Sequence, residues 1–216
     1  MPEIMDGTTI AAAFAAAVSA HSDRPFLAVP ANEDRPYLPS GFEMSYGEAG
    51  RRVEEFAALY RQAGYGVGHR VATLLENRPE HVLHTLALNG IGVCCVPINP
   101  DSRAAEIAYL IDHSEPDLVL TLGERQASIA AALAQGTHRP GVVVSESFPD
   151  SLEKVAHAAR DTRPVPETPA SILYTSGTTG RPKGCVLSHG YEVASGAWYA
   201  SLGGVAGVQR DRKSVV

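Results

Sequence analysis

Apolar and polar positions follow two different periods along residues 45–145. Short apolar runs predict four strands, and the segments between them place apolar residues at helical spacing. The predicted strands cover residues 71–75, 91–96, 117–121 and 141–145. The run at 91–96 is continuously apolar, which is typical of a strand buried on both faces of a sheet. Because helices join these strands, we expect right-handed crossovers and an α/β fold, a three-layer αβα arrangement around a mainly parallel sheet.

Capping residues mark the ends of the predicted helices. Ser45 and Glu48 match a capping box, and Gly64 is placed to end the helix that follows. Asn77, with Pro79 two residues later, predicts the start of a helix that ends near residue 90. Three further helices are expected, over 10–20 with Thr8 or Thr9 as cap, to about 113 with Asp101 or Ser102 as cap, and over 124–135.

Composition and charge limit the classes of protein to which the chain can belong. The chain has 216 residues, of which 44% are hydrophobic and 19% charged, as in a soluble protein with an apolar core. Its net charge of −6 argues against nucleic-acid binding, since phosphate neutralisation requires clustered lysines and arginines. No apolar run is long enough to span a membrane. The apolar stretch 10–20 follows Glu3 and Asp6 rather than the basic residues of a signal peptide.

The three cysteines do not form the pattern of a disulfide framework or of a metal site. Cys94 and Cys95 are adjacent within an apolar run and Cys185 is alone, so the chain contains no CxxC pair. We expect Cys94 and Cys95 to be buried, unreactive thiols, and we expect the protein to work in the reducing cytoplasm.

The segment from Ser171 to Gly184 is the one that indicates chemistry. It begins as an apolar strand and continues as a loop with hydroxyls, three glycines and Lys183. Backbone N–H groups, hydroxyls and an ammonium group are what a polyphosphate requires. A Walker A loop is excluded, because Pro182 stands where that motif needs glycine and because 185–188 predicts a second strand instead of a helix. Composition alone leaves open a flexible polar turn in a hairpin.

The order of residues 174–184, Tyr-Thr-Ser-Gly-Thr-Thr-Gly-Arg-Pro-Lys-Gly, resembles the phosphate-loop signature of the adenylate-forming superfamily. That superfamily includes acyl-CoA synthetases, luciferases and the adenylation domains of peptide synthetases. Residues 44–49, Met-Ser-Tyr-Gly-Glu-Ala, and 88–100, Leu-Asn-Gly-Ile-Gly-Val-Cys-Cys-Val-Pro-Ile-Asn-Pro, are similar to two further family segments in the family's order. The resemblance covers about residues 8–204. It implies that residues 1–210 are the N-terminal part of an AMP-binding large domain.

The resemblance implies that a carboxylate attacks the α-phosphorus of ATP, that pyrophosphate leaves, and that coenzyme A then accepts the acyl group. It implies that the loop holds the β- and γ-phosphates and that Mg²⁺ bridges phosphate oxygens, with Thr178 as a metal contact. By position in the motif, the phosphate-binding residues are Thr175, Ser176, Gly177, Thr178, Thr179 and Gly180, and Lys183 supplies positive charge. The expected partners are a small carboxylic acid and coenzyme A.

The acceptor and the extent of the enzyme stay open. Residues 185–191 look most like the carnitine/crotonobetaine-CoA ligase branch, whereas amino-acid adenylation domains share the phosphate loop, and a non-catalytic nucleotide-binding module is a further alternative. In the family the catalytic lysine lies beyond the stretch matched here, so no catalytic residue is assigned and we expect no adenylation by this chain alone. Residues 211–216 are those that a common sequencing-adapter sequence encodes, which predicts a non-native tail, with a natural short tail as the alternative.

Three other features receive structural interpretations. His189 is expected to pack or to hydrogen-bond rather than to act in catalysis. Tyr191, Trp198 and Tyr199 are expected to pack in the core rather than to line an acyl pocket. The glycine-rich segment 64–68 follows a helix and precedes a strand, the reverse of a dinucleotide-binding loop, so it predicts a turn.

Overall fold

The structure is a computed structural model that describes residues 7–160, 163–175 and 181–201. The α-helices within these ranges are α1 Ile10–His21, α2 Tyr46–Gln62, α3 Pro79–Gly90, α4 Ala104–Ser114, α5 Gln126–Gln135 and α6 His189–Ser201. The strands are β1 Pro25–Val29, β2 Phe42–Ser45, β3 Arg70–Leu74, β4 Cys94–Pro97, β5 Leu118–Thr121, β6 Gly141–Val144, β7 Pro169–Thr175 and β8 Lys183–Ser188. The four strands predicted over 45–145 are therefore confirmed as β3 to β6.

Six of these strands form one sheet in the order β6-β5-β3-β4-β7-β8. The pairs from β6 to β7 are parallel, and β8 at the edge is antiparallel to β7. Strands β1 and β2 pair with each other in a separate antiparallel ribbon, which the hydrophobic pattern did not predict. The mainly parallel sheet agrees with the expectation from the alternating strands and helices.

Helices cover both faces of the sheet, as expected for three layers. Alternate strand residues point to opposite faces, so Cys95 joins the apolar cluster beneath α2 and α3 whereas Val96 joins the cluster beneath α4 and α5. The chain moves from β3 to β4 through α3 and then crosses back over β3 to β5 through α4. This reversal places α3 and α4 on opposite faces and opens a crevice at the carboxyl ends of β3 and β4, where α/β proteins bind ligands.

Several predicted helix boundaries are confirmed by hydrogen bonds. Ser45 Oγ accepts the backbone N–H of Glu48 at 3.2 Å, and the Glu48 carboxylate accepts the N–H of Ser45 at 2.8 Å. Thr9 caps α1 by accepting the N–H of Ala12 at 3.2 Å. Gly64 ends α2 with a φ of +92°, a backbone conformation that favours glycine. None of the described helices is long and apolar enough to cross a membrane.

The predicted caps of α3 and α4 are wrong. Arg78, not Asn77, is the N-cap of α3, and it makes no side-chain capping bond because its guanidinium is buried in ion pairs with Glu124 and Glu146. Helix α4 begins after Arg103, where the Glu106 carboxylate accepts the Arg103 N–H at 2.8 Å.

Asp101 and Ser102 lie in the turn before α4 instead of capping it. Their backbone N–H groups donate to the side-chain and main-chain oxygens of Asn99, each at 3.0 Å. Asn99 therefore stabilises the turn that precedes α4. The N-cap is the next residue, Arg103, whose backbone N–H donates to the Glu106 side chain.

Candidate functional site

The predicted phosphate-binding segment lies between the two paired strands β7 and β8. Thr175 pairs with Lys183 and Tyr174 pairs with Gly184, so the residues on either side of the loop are held in antiparallel register. Both Thr175 and Lys183 are exposed. The predicted contacts Ser176, Gly177, Thr178, Thr179 and Gly180 lie outside the described residues, so their assigned roles stay predictions.

The absence of a side chain at Gly184 leaves room for the Tyr174 ring, which packs over this position. A Cβ at position 184 would lie 2.9 Å from Cγ2 of Ile172 and 3.3 Å from Cζ of Tyr174. Since atoms at such distances overlap, the motif requires glycine here for packing. The first and last residues of the phosphate-loop signature are thus in contact across the hairpin.

A cleft of about 640 Å³ opens beside the hairpin at the carboxyl edge of the sheet. It is bordered by the ends of three strands, with Thr73 near the end of β3 and Glu76 after it, Pro97 ending β4 and Asn99 after it, and Tyr174 and Thr175 at the end of β7. Thr175 is therefore brought to the edge where the strand order reverses. The arrangement suits a ligand whose charged end meets the hairpin and whose body enters the cleft.

Helix α4 contacts both sides of the hairpin, a feature that sequence reasoning missed. Tyr109 Oη donates to the carbonyl oxygen of Pro182 at 3.1 Å. Nδ1 of His113 lies 2.7 Å from Oη of Tyr174. The only local signal was that Tyr109 and His113 stand four residues apart, on the same side of one helix.

Two arginines near the cleft, Arg78 and Arg125, are paired with carboxylates. Arg78 has its guanidinium within ion-pair distance of Glu124 and Glu146, and its side chain is 9% exposed. Arg125 Nε donates to Glu76 at 2.8 Å. Because these charges are neutralised locally, they do not offer a second anion site at this edge.

A histidine and carboxylate cluster lies at the opposite edge of the sheet, before β3 and β5. Ligand atoms of His69, Asp117 and His157 lie within 4.8 Å of one another. The two imidazole rings are stacked, with centroids 4.5 Å apart and an interplanar angle of 25°. Nitrogen lone pairs lie in the ring plane, so stacked rings cannot both direct them at one ion. Nε2 of His69 also lies 3.0 Å from the carbonyl oxygen of His157, so a hydrogen bond joins these two segments of the chain.

The buried histidine and cysteines behave as the sequence predicts. His189 is fully buried, its Nδ1 accepts the N–H of Ile10 at 3.4 Å, and burial lowers its pKa. Burial raises the pKa of the Cys94 thiol to about 11 and that of Cys95 further still. Cys185 is exposed on β8. The expectation of unreactive thiols at Cys94 and Cys95 agrees with these environments.

The expectation that the α6 aromatic residues pack in the core is wrong. Tyr191, Trp198 and Tyr199 are 57%, 57% and 62% exposed. Helix α6 meets the sheet through other residues, because Ser171 Oγ donates to the Glu192 carboxylate at 2.7 Å and His189 fills the space at the helix start. Helical spacing identified an apolar face but could not say which face meets the sheet.

Comparison with known proteins agrees with the motif. The family model described as AMP-binding enzyme matches residues 14–214. Sulfoacetate–CoA ligase of Cupriavidus necator is 31% identical over 199 residues, which cover 90% of this chain and 37% of that protein. Tyrocidine synthase 2 of Brevibacillus parabrevis is 35% identical over 149 residues, which cover 68% of this chain and 4% of that protein. The chain thus spans only a minor part of these relatives' length.

The fold is also that of a solved subdomain. The N-terminal subdomain of Klebsiella oxytoca NpsA, in complex with 3-hydroxybenzoyl-AMSN, superposes with a TM-score of 0.66 at 21% identity. The similarity covers 88% of this chain and 43% of that one, and at this identity it shows the fold alone. The family match over most of the chain confirms the resemblance of the motifs: the chain belongs to the AMP-binding enzyme family, the adenylate-forming enzymes.

Proposed function

We propose that this chain supplies the triphosphate-binding part of an acid–thiol ligase that activates a carboxylic acid with ATP and transfers the acyl group to coenzyme A. The observation that carries the proposal is the position of the signature. Two of its residues, Thr175 and Lys183, are cross-strand partners that are exposed at the carboxyl edge of the sheet beside a cleft. Hydroxyl and ammonium donors at such an edge suit a polyphosphate.

In the proposed reaction a carboxylate oxygen bonds to the α-phosphorus of ATP. The bond breaks between that phosphorus and the oxygen that links the α- and β-phosphates. Pyrophosphate leaves with the electron pair. The sulfur of coenzyme A then attacks the acyl carbon of the adenylate, its proton is released, and AMP leaves. Catalysis of the first step depends on positioning and on neutralising charge.

The chain's contribution is to hold the departing pyrophosphate. Thr175, Lys183 and the residues 176–180 between them would bind the β- and γ-phosphate oxygens through hydroxyls, backbone N–H groups and one ammonium. A Mg²⁺ ion held with the help of the Thr178 hydroxyl would supply further positive charge to those oxygens. The described hydroxyl of Thr175 and ammonium of Lys183 fit this role, since both are exposed at the loop's ends.

The acceptor has two candidates. Coenzyme A is favoured by the similarity to a CoA ligase over 90% of the chain, whereas the similarity to tyrocidine synthase 2 covers 68%. The latter, at 35% identity, supports amino-acid adenylation as the second candidate. In an enzyme that contains this chain together with the rest of the family's active site, acid-dependent release of AMP that requires coenzyme A would distinguish the first from the second. We place the reaction in the cytoplasm, because none of the three cysteines forms a disulfide.

Displacement of a fluorescent ATP analogue from the chain tests phosphate binding. ATP and inorganic pyrophosphate should compete well and AMP poorly, because AMP lacks the β- and γ-phosphates. The double variant Thr178→Ala/Thr179→Ala should weaken competition by pyrophosphate about tenfold. Its free energy of unfolding should stay within about 0.5 kcal/mol of the wild type. Equal competition by AMP and pyrophosphate, or a double variant that binds pyrophosphate normally, contradicts the proposal.

A further inference from the structure

Helix α4 is hydrogen-bonded to the end of β7 and to the residue that precedes β8, on the two sides of the signature loop. Tyr109 donates to the carbonyl of Pro182 at 3.1 Å on one side, and His113 meets the hydroxyl of Tyr174 at 2.7 Å on the other. These contacts join residues 73 and 61 positions apart in the chain. We infer that Tyr109 and His113 are positioning residues for pyrophosphate, an inference that rests on the proposed function.

The Tyr109 hydroxyl holds a point where the strand ladder is weak. Pro182 precedes β8 and has no N–H to donate, so it cannot donate to a β7–β8 ladder bond. The Tyr109 O–H donates to its carbonyl oxygen from α4. The Tyr109 ring also lies 6.0 Å from the guanidinium of Arg181, which is within the range of a cation–π contact. One side chain therefore positions the two residues that precede Lys183.

The two anchoring side chains support each other. Tyr109 and His113 lie one helical turn apart, and their rings are stacked with centroids 5.5 Å apart. The helix that carries them is fixed, because Ile107 and Ile111 are each 1% exposed in the core beneath α4. His113 then meets Tyr174, whose own ring covers Gly184.

The consequence is that Tyr174 and Pro182, which neighbour Thr175 and Lys183, are both attached to one helix. Fixing the directions of Thr175 and Lys183 before the ligand arrives reduces the conformational entropy that these two residues must lose on binding. The contacts do not touch phosphate, so their effect on affinity acts through the direction of Thr175 and Lys183. Removal of the Tyr109 hydroxyl should therefore weaken pyrophosphate binding more than it weakens the fold.

A titration of the ¹⁵N-labelled chain with inorganic pyrophosphate, followed by amide chemical shifts, tests the inference. Tyr109→Phe keeps the ring, its stacking on His113 and its contact with Arg181, and should raise the dissociation constant about three- to tenfold. Tyr60→Phe is the matched control, because it also removes a hydroxyl bond, at 3.0 Å to His84, far from the hairpin. This control should lower stability and leave the dissociation constant unchanged.

A double-mutant cycle tests the second anchor. His113→Ala and Tyr174→Phe each remove one partner of the same contact, so the double variant should bind pyrophosphate about as well as the weaker single variant. If the wild type binds pyrophosphate and Tyr109→Phe binds it equally well, the positioning inference is overturned and the proposed function stands. If the wild type does not bind pyrophosphate at all, the proposed function fails and the inference with it.

Discussion

The hydroxyl of Tyr60 lies 3.0 Å from Nδ1 of His84 inside the interface between α2 and α3. Both side chains are fully buried, and the ring of Phe56 stacks on the imidazole with centroids 3.9 Å apart. Burial, with a smaller contribution from the nearby Arg52 charge, lowers the pKa of His84 to about 3. The imidazole is therefore neutral in the folded protein, and the Tyr60 O–H donates to it.

This burial makes the stability of the fold depend on pH. The folded pKa of His84 lies below its ordinary value of 6.5, so the unfolded chain takes up the proton first as pH falls. The stability that the neutral imidazole contributes is present above pH 6.5 and is lost toward pH 3. From this group alone we expect the free energy of unfolding to fall by about 2 kcal/mol between about pH 7.5 and about pH 5.

Urea unfolding of the wild type and of His84→Gln at these two pH values measures the effect. The glutamine variant should lose about 2 kcal/mol less than the wild type on acidification, whatever its stability at the higher pH. His21→Gln, a change of a half-buried histidine in the last turn of α1, should keep the wild-type difference. The same acid loss in wild type and His84→Gln would show that another group carries it.

Gly184→Ala should strain the hairpin. The added methyl would lie 2.9 Å from Cγ2 of Ile172 and 3.3 Å from Cζ of Tyr174, so the β-branched Ile172 side chain or the strand that carries it must shift. We expect a loss of about 1–3 kcal/mol in the free energy of unfolding and weaker pyrophosphate binding. Gly196→Ala is the control: a Cβ there would have nothing within 4 Å, so helix α6 should gain up to about 1 kcal/mol. Similar effects of the two changes would contradict the packing assigned to Gly184.

Asn89→Ala should lower the free energy of unfolding by removing the hydrogen bonds that join the end of α3 to the sheet. The buried amide Nδ2 donates to the carbonyls of Val93 at 3.1 Å and Ala170 at 2.9 Å, so it joins α3 to the starts of β4 and β7. Removing it leaves two buried carbonyls without that donor, at a cost of roughly 2–4 kcal/mol. Asn32→Ala, in an exposed turn, should cost under about 1 kcal/mol. Thermal or urea unfolding that ranks the two variants alike would refute this role.

The predictable parts of this fold are those with local signals. Strands β3 to β6 follow from apolar runs, and the start of α2 follows from Ser45 and Glu48, which interact within one turn. The α4 cap was missed although its contacts are local: Asn99 accepts the N–H groups of Asp101 and Ser102, so the helix begins only after Arg103. The α3 cap was missed because Arg78 is held by ion pairs with Glu124 and Glu146, tertiary contacts that override the preference for Asn as a cap.

The site was only half predictable for the same physical reason. The signature loop is contiguous in sequence, so its residues and its place between two strands could be predicted. The hydrogen bond from Tyr109 to Pro182 joins positions 73 residues apart. The hydrophobic periodicity of a single helix or strand carries no information about such a contact. The exposure of Trp198 could not be predicted from the sequence either, because a helical pattern does not say which face of the helix meets the sheet.

The central claim is that residues 174–184 bind the polyphosphate of ATP. Hydrogen–deuterium exchange of the chain, with and without MgATP, tests it most directly. The account predicts that ATP and inorganic pyrophosphate both slow exchange in peptides covering 174–184, that AMP does not, and that peptides around His69 and His157 are unchanged. Unaltered exchange across 174–184 with ATP, or protection confined to the opposite edge of the sheet, would contradict it.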